Sequence, residues 1–279
     1  MIITCWGARG SIPVCGEEYL KYGGSTTCVE VRTRDDQIII IDAGSGIRRL
    51  GRKLLAERRH EYNIIFTHAH LDHVLGFPFF KPIYIKGSHI NLFGCPFAQD
   101  SVKSMLSRTM SPPTFPVTPE GVDAHISYAG ECLDAFTIGS VAVAPIPLSH
   151  PNRGMGYSLT EQGKRFVFLT DNELTFKHPG GLDYKDYLRF SSGADLLMHD
   201  AEFTEEEYRS TRTWGHSVYR DALKLALEAG VGRFGLFHHN QDRSDEGVDR
   251  IVEDCQRIVQ EGHPSLECFA AYEGMSIDL

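Results

Sequence analysis

THAHLDHVLGF, residues 67–77, places three histidines and an aspartate within the six positions from His68 to His73, immediately after the apolar run Asn63–Phe66. In an extended chain entering a turn, His68 and His70 point to one side with Ala69 opposite. Asp72 and His73 follow in the next turn and can face a second point a few ångströms away. One short segment can therefore seed two metal sites. Imidazole nitrogen with carboxylate oxygen suits Zn²⁺, and equally Mn²⁺ or Fe²⁺. Completing both sites needs ligands from farther along, and His150 (LSHPN), Asp171 (FLTDNE) and His238 (GLFHHN) each end an apolar strand-like run. A lone HxH carries little weight. Four candidates in one window, followed by His, Asp and His on successive strands, make a metal centre the expectation.

The rest of the chain follows a strand-then-helix grammar. QIIIIDAG (37–44) reads as a buried strand, and GIRRLGRKLLAERR sets Ile47, Leu50, Leu54 and Leu55 on one helical face. FTIG and VAVAPIPLSH read as strands, GYSLTEQGKRFVFLTD as a hairpin turning at Gln162-Gly163, and ADLLMHD and RFGLFHH as further short strands. Residues 217–229 and 245–260 read as amphipathic helices, the second capped by Ser244. The stretch 95–130, with MSPPTFPVTPEG, reads as an irregular surface excursion near the site. With 28 basic against 37 acidic side chains the net charge is −9, which disfavours tight sequence-independent binding of a long nucleic acid. Seven cysteines without a CxxC pair point to reduced, mostly buried thiols and away from a disulfide framework. No basic n-region with an apolar stretch opens the sequence, and no run approaches a membrane span, so a cytoplasmic protein without a membrane partner is expected.

His68, His70, Asp72 and His73 spell HxHxDH, and with the later ligands in order the chain resembles the metallo-β-lactamase superfamily over nearly its whole length. GARGSIPV, YGGSTTCVEV, IIIIDAGSGIR, LMHDAEF (197–203), GHS (215–217) and LFHHN resemble its ribonuclease Z and cyclic-phosphate phosphodiesterase branch. The resemblance implies one α/β domain over 1–279, an αββα sandwich of two mixed sheets flanked by helices. It implies two divalent ions, zinc by expectation, one held by His68, His70 and His150, the other by Asp72, His73 and His238, with Asp171 bridging. His199, Asp200 and Ala201 match the first residues of the branch's HEAT-like motif, with Asp200 replacing its glutamate and Glu202 its threonine. His216 matches the histidine that serves there as proton donor.

Several neighbours carry competing readings. His238 is preferred to His239 by register, which leaves His239 outward, solvated or substrate-facing. His199 reads as a structural hydrogen-bonder, Asp200 as the residue that orients His216, and Asp42 as a backbone tether without a chemical role. Gly44, Gly46 and Gly51 resemble a glycine-rich phosphate loop only loosely, and a tight turn is the expectation. The aromatics of 76–84 are expected mostly to pack, with one or two walling the substrate pocket.

Two cations roughly 3.5 to 4 Å apart acidify a shared water and neutralise phosphoryl charge, which is a site built for hydrolysis. An alkoxide leaving group needs a proton, and His216 can give it; Asp72 would also hold the nucleophile through its free oxygen. Hence a phosphodiesterase is expected. Only twenty residues separate His150 from Asp171, leaving no room for the protruding arm of ribonuclease Z. That favours a small cyclic diester, a cyclic nucleotide or a ribose cyclic phosphate, over pre-tRNA. The alternatives are a ribonuclease Z-like tRNA 3′ endonuclease, a thioester or lactone hydrolase and, last, a binding module without turnover. Residues 172–193 are expected to form a lid or to lean on a partner subunit, and the resemblance allows a homodimer.

Overall fold

The computed structural model describes residues 1–94, 102–128, 134–262 and 265–279. Strands β1 (Ile2–Gly7), β2 (Cys28–Arg32), β3 (Ile38–Ile41), β4 (Glu61–Phe66), β5 (His89–Gly94) and β6 (His125–Tyr128) build a first sheet. A second sheet comprises β7 (Phe136–Ile138), β8 (Val141–Leu148), β9 (Gly154–Glu161), β10 (Lys164–Leu169), β11 (Leu196–Asp200), β12 (Arg233–Phe237) and β13 (Glu267–Ala270). The last strand, β14 (Ser276–Asp278), returns to pair antiparallel with β1. The helices are α1 (Ile47–Ala56), α2 (Leu71–Val74), α3 (Val102–Thr109), α4 (Tyr184–Ser191), α5 (Glu205–Thr211), α6 (Tyr219–Glu228) and α7 (Asp245–Gly262).

The four isoleucines of β3 show how the layers arise. Successive side chains of a strand face opposite ways. Ile39 and Ile41 therefore enter the core between the sheets, with Val29, Val31 and Ile65 below and Leu159, Phe166 and Phe168 above. Ile38 and Ile40 face the other side, against Ile47, Leu50 and Leu54 of α1. All four are fully or almost fully buried, and each contributes roughly 1.5–3 kcal/mol by leaving water. On the far face of the second sheet, Val167, Leu197 and Phe234 meet Ala222 and Leu225 of α6 and Cys255 and Val259 of α7. The result is helix, sheet, sheet, helix: the αββα sandwich, with both sheets mixed.

In each sheet one half is parallel, β3 to β6 in the first and β10 to β13 in the second. Ligands in such folds collect beyond the carboxyl ends of parallel strands, and that edge carries every candidate site residue. The hairpin turns at Gln162 (φ 50°) and Gly163 (φ 78°), both left-handed, as a two-residue type I′ turn requires. Among the described residues no helix is long and apolar enough to cross a membrane.

Two expectations need correction. The stretch 95–130 is not irregular throughout: α3 and β6 lie in it, and Met105, Leu106 and Met110 enter the core against α1's sheet, so amphipathic spacing outweighs the nearby prolines. Residues 95–101 and 129–130 lie outside the described residues. The segment 172–193 is not a lid. Leu174 and Tyr187 join the core, α4 is capped by Asp183, and Ser149 fastens it by accepting from the His178 amide at 2.9 Å. The expectation of mostly buried, reduced thiols holds among the described residues: Cys5, Cys28, Cys255 and Cys268 are free and buried, and Cys15 is exposed; Cys95 and Cys132 lie outside the described residues.

Candidate metal centre

Three strand ends turn their side chains inward by the same backbone device. Asp42 after β3, Asp171 two residues after β10 and His238 after β12 have φ of 62°, 57° and 58°. Left-handed backbone in a residue with a Cβ is strained, and such strain persists where surrounding structure enforces it, often at functional sites. His68, His70, Asp72 and His73 come from the β4–α2 turn and its first helical residues, and His150 from the end of β8. The structure thus gathers all seven candidates from separate segments into two overlapping groups. His68, His70, His150 and Asp171 form one; Asp72, His73, Asp171 and His238 form the other, each with donor atoms within 4.8 Å of one another.

Asp171 belongs to both groups. Its Oδ2 lies 3.5 Å from His68 Nε2, 3.8 Å from His150 Nε2 and 3.4 Å from His238 Nε2, while Oδ1 lies 3.3 Å from His73 Nε2. His238 Nε2 is 3.2 Å from Asp72 Oδ2. The Nε2 atoms of His68 and His73 are buried without a hydrogen-bond partner, although carboxylates stand nearby. Buried polar atoms are rarely left so. Orphaned imidazole nitrogens facing a shared carboxylate are a donor set that fits a pair of divalent cations.

Outer contacts fix the rings. His73 Nδ1 bonds Asp42 Oδ2 at 2.7 Å, His238 Nδ1 bonds Glu202 Oε2 at 2.8 Å, and His150 Nδ1 donates to the Gly215 carbonyl at 2.9 Å. Asp42 therefore does more than tether backbone: besides accepting from the Thr67 amide, it orients a ring in the cluster, which corrects its reading as chemically idle. The GARGS loop also has a task. Ser11 donates its amide to Asp72 Oδ2 at 2.8 Å, and Gly10 runs under His238 so closely that a Cβ would come within 2.4 Å of the ring.

Charge follows from these contacts. Burial pushes the pKa of His68, His70 and His150 below the ordinary value, so these rings are neutral and available as donors. Burial also acts on His73 and His238, but carboxylates outweigh it and raise both: Asp72, Asp171 and Asp42 for the first, Asp171, Asp72 and Glu202 for the second. Those same histidines hold Asp72 and Asp171 well below the usual carboxylate range despite burial.

His216 stands at the border of the cluster, its ring stacked on His238 at 4.5 Å and edge-on to His150 at 5.2 Å. Its Nδ1 bonds Asp200 Oδ2 at 2.8 Å and lies 3.4 Å from Glu202 Oε2. Burial lowers its pKa, yet Glu202 and Asp200 together prevail and raise it to about 9. Sequence reasoning missed Glu202 as a shared partner of two histidines, and Glu173 as well. Glu173 accepts from the Thr213 and Gly215 amides at 2.8 and 2.9 Å and bonds His178 at 2.7 Å, anchoring the loop that delivers His216. In that loop Gly215 (φ 97°) passes so close to His150 that a Cβ would lie 2.1 Å from Nδ1. The acid in LMHDAEF two positions beyond Asp200 was the available signal for Glu202. His199 bonds the Asp200 carbonyl and Asn172, away from the groups. His239 is not outward: it is buried, donates to the Ala271 carbonyl at 2.8 Å, and burial pushes its pKa down to about 3.

Residues 37–239 match the beta-lactamase superfamily domain. The chain belongs to that superfamily. It is similar to a ribonuclease Z from Picrophilus torridus, 23% identical over 306 residues that cover 95% of this chain and 93% of that protein. In structure it is similar to the metallo-beta-lactamase fold protein YhfI from Bacillus subtilis, with TM-score 0.71, 18% identity and 99% of each chain covered. A diphosphatase from the PhnP family aligns with TM-score 0.69 at 16% identity, over 100% of this chain and 97% of the other. In this superfamily member, two overlapping His/Asp groups at one sandwich edge form a candidate metal centre.

Proposed function

We propose that the chain hydrolyses a small cyclic phosphodiester, a cyclic nucleotide or a ribose cyclic phosphate, at a dinuclear centre. In this reading His68, His70 and His150 hold one ion and Asp72, His73 and His238 the other, with Asp171 shared. Two bound divalent ions supply an acidified water as nucleophile and neutralise charge on the phosphoryl group. The protein's own groups do the rest. The histidine rings are held in orientation from behind by Asp42, Glu202 and the Gly215 carbonyl. With Nδ1 committed to Asp200, His216 presents a proton on Nε2 to the departing alkoxide.

The observation that carries the reading is this Asp200–His216 pair beside the cluster, raised so that the ring is protonated at neutral pH. A thioester or lactone has less need of so carefully placed an acid. Small size is supported by the segment between His150 and Asp171, which is filled by β9, its turn and β10 and adds no arm. The ribonuclease Z reading stays the named alternative, because relatives carry that name. The deciding experiment is a turnover panel of 3′,5′-cyclic, 2′,3′-cyclic and ribose 1,2-cyclic phosphates against a pre-tRNA. A preferred cyclic phosphate is the expected result; cleavage of pre-tRNA alone would transfer the assignment to the alternative.

A further inference from the structure

Away from the metal centre, a groove runs beside α1. It is lined by Arg48 and Arg52 of that helix, by Phe79, Lys81 and Tyr84 from the turns that follow α2, and by Phe115. None of the seven clustered side chains lines it. Its volume of ≈ 510 Å³ lies within the roughly 300–1,000 Å³ of small-molecule sites.

The groove's charge is one-sided. Arg48 and Arg52, four residues apart, share one helix face. Their helix neighbours are paired, Arg49 with Glu273 and Lys53 with Glu30. Among the described residues, however, no carboxylate pairs with Arg48, Arg52 or Lys81, and no acidic side chain lines the groove. Three unpaired cations thus converge in a chain of net charge −9. Beside them an aromatic wall stands open. Phe79 is 53% exposed, its ring edge-on to Phe115 at 5.7 Å, and the wall is fixed where the Tyr84 hydroxyl donates to the Pro78 carbonyl at 2.7 Å.

Forked guanidiniums match the oxygens of a phosphate, and an open aromatic face accepts a planar base. We infer that this groove binds a nucleoside phosphate, its phosphate among Arg48, Arg52 and Lys81 and its base against Phe79. An acidic peptide would satisfy the cations and leave the ring without a planar partner. A neutral apolar ligand would cover the ring and strip water from three charges without compensation. The ligand can come from two sources, a free mononucleotide or the terminal nucleotide of a nucleic acid strand. The inference does not depend on which diester the metal centre cleaves.

The test is calorimetric titration of the purified protein with adenosine 5′-monophosphate, ribose 5-phosphate and a 5′-phosphorylated tetranucleotide with phosphorothioate linkages. Arg48→Glu/Arg52→Glu should weaken the mononucleotide about tenfold or more while leaving bis-p-nitrophenyl phosphate turnover unchanged, which also shows that the variant is folded. Phe79→Ala should weaken the mononucleotide about fivefold and leave ribose 5-phosphate unaffected. His70→Ala, which strikes the metal centre, should bind as the wild type does. Tighter binding of the tetranucleotide assigns the source to a strand end, and equal or weaker binding to the free nucleotide. Wild-type protein that takes up neither near about 1 mM, or an affinity unchanged in the double variant, overturns the inference.

Discussion

The two ligand groups hold their histidines by different means. In the first, the outer nitrogens meet neutral partners: His150 faces the Gly215 carbonyl and His68 the Thr67 hydroxyl at 3.1 Å. In the second they meet carboxylates, Asp42 behind His73 and Glu202 behind His238. A carboxylate on the outer nitrogen makes the ring a better donor and fixes its tautomer, and a carbonyl or hydroxyl does so less strongly. The second group also contains two carboxylates, Asp72 and the shared Asp171, against Asp171 alone in the first. The two positions are therefore chemically unequal: we expect the second to hold a cation more firmly, and the first has the neutral rings and the more open edge.

The harshest way to break this comparison is to remove the residue common to both groups. Asp171→Ala should cost both ions together and lower diester turnover by about 10³-fold or more, because the ions supply several kcal/mol of stabilisation. Loss of one ion only, by metal analysis, would show that Asp171 is not shared. Next in size, His216→Ala should retain both ions and lower kcat for an alkoxide leaving group by about 10² to 10⁴-fold, and metal loss in that variant would contradict its role as proton donor. The comparison itself is sharpened by Asp42→Asn and Glu202→Gln, each expected to weaken one of the two ions by about 10 to 100-fold, whereas Thr67→Val should change neither strongly. Competitive chelator titration reads this directly, and equal weakening of both ions would erase the distinction.

The smallest effect concerns pH. Glu202 and Asp200 raise the pKa of His216 against the pull of burial. Activity that needs the protonated ring is complete below this pKa and is lost as pH rises through it. Asp200→Asn removes part of the raising influence, so the alkaline limb of kcat should move to lower pH. A limb that stays in place would detach His216 from the rate.

Much of this was legible in the sequence because it lies at strand ends. The ligand positions announce themselves as His or Asp closing an apolar run, and the isoleucine run 38–41 and the Gln162-Gly163 turn follow from period and from turn chemistry. The supporting carboxylates were not legible in the same way. Asp42 reaches His73 from the neighbouring strand, Glu202 serves two rings at once, and Glu173 acts through backbone amides of a distant loop. Each role is a contact between segments, and the chain's own periodicity says nothing of it. His239 shows the same limit: one step beyond His238 the backbone leaves its left-handed turn, and the ring goes into the core instead of to solvent. In 95–130 the prolines concealed α3, whose apolar face was set by spacing that a composition-led reading passes over.

The central claim is that side chains remote in sequence converge to hold a pair of cations around Asp171. Metal analysis by mass spectrometry, on protein reconstituted with Zn²⁺, Mn²⁺ or Fe²⁺ and then freed of excess, tests it most directly. Two ions per chain, falling away in Asp171→Ala, is the predicted result; protein that keeps none with any of the three metals would contradict it.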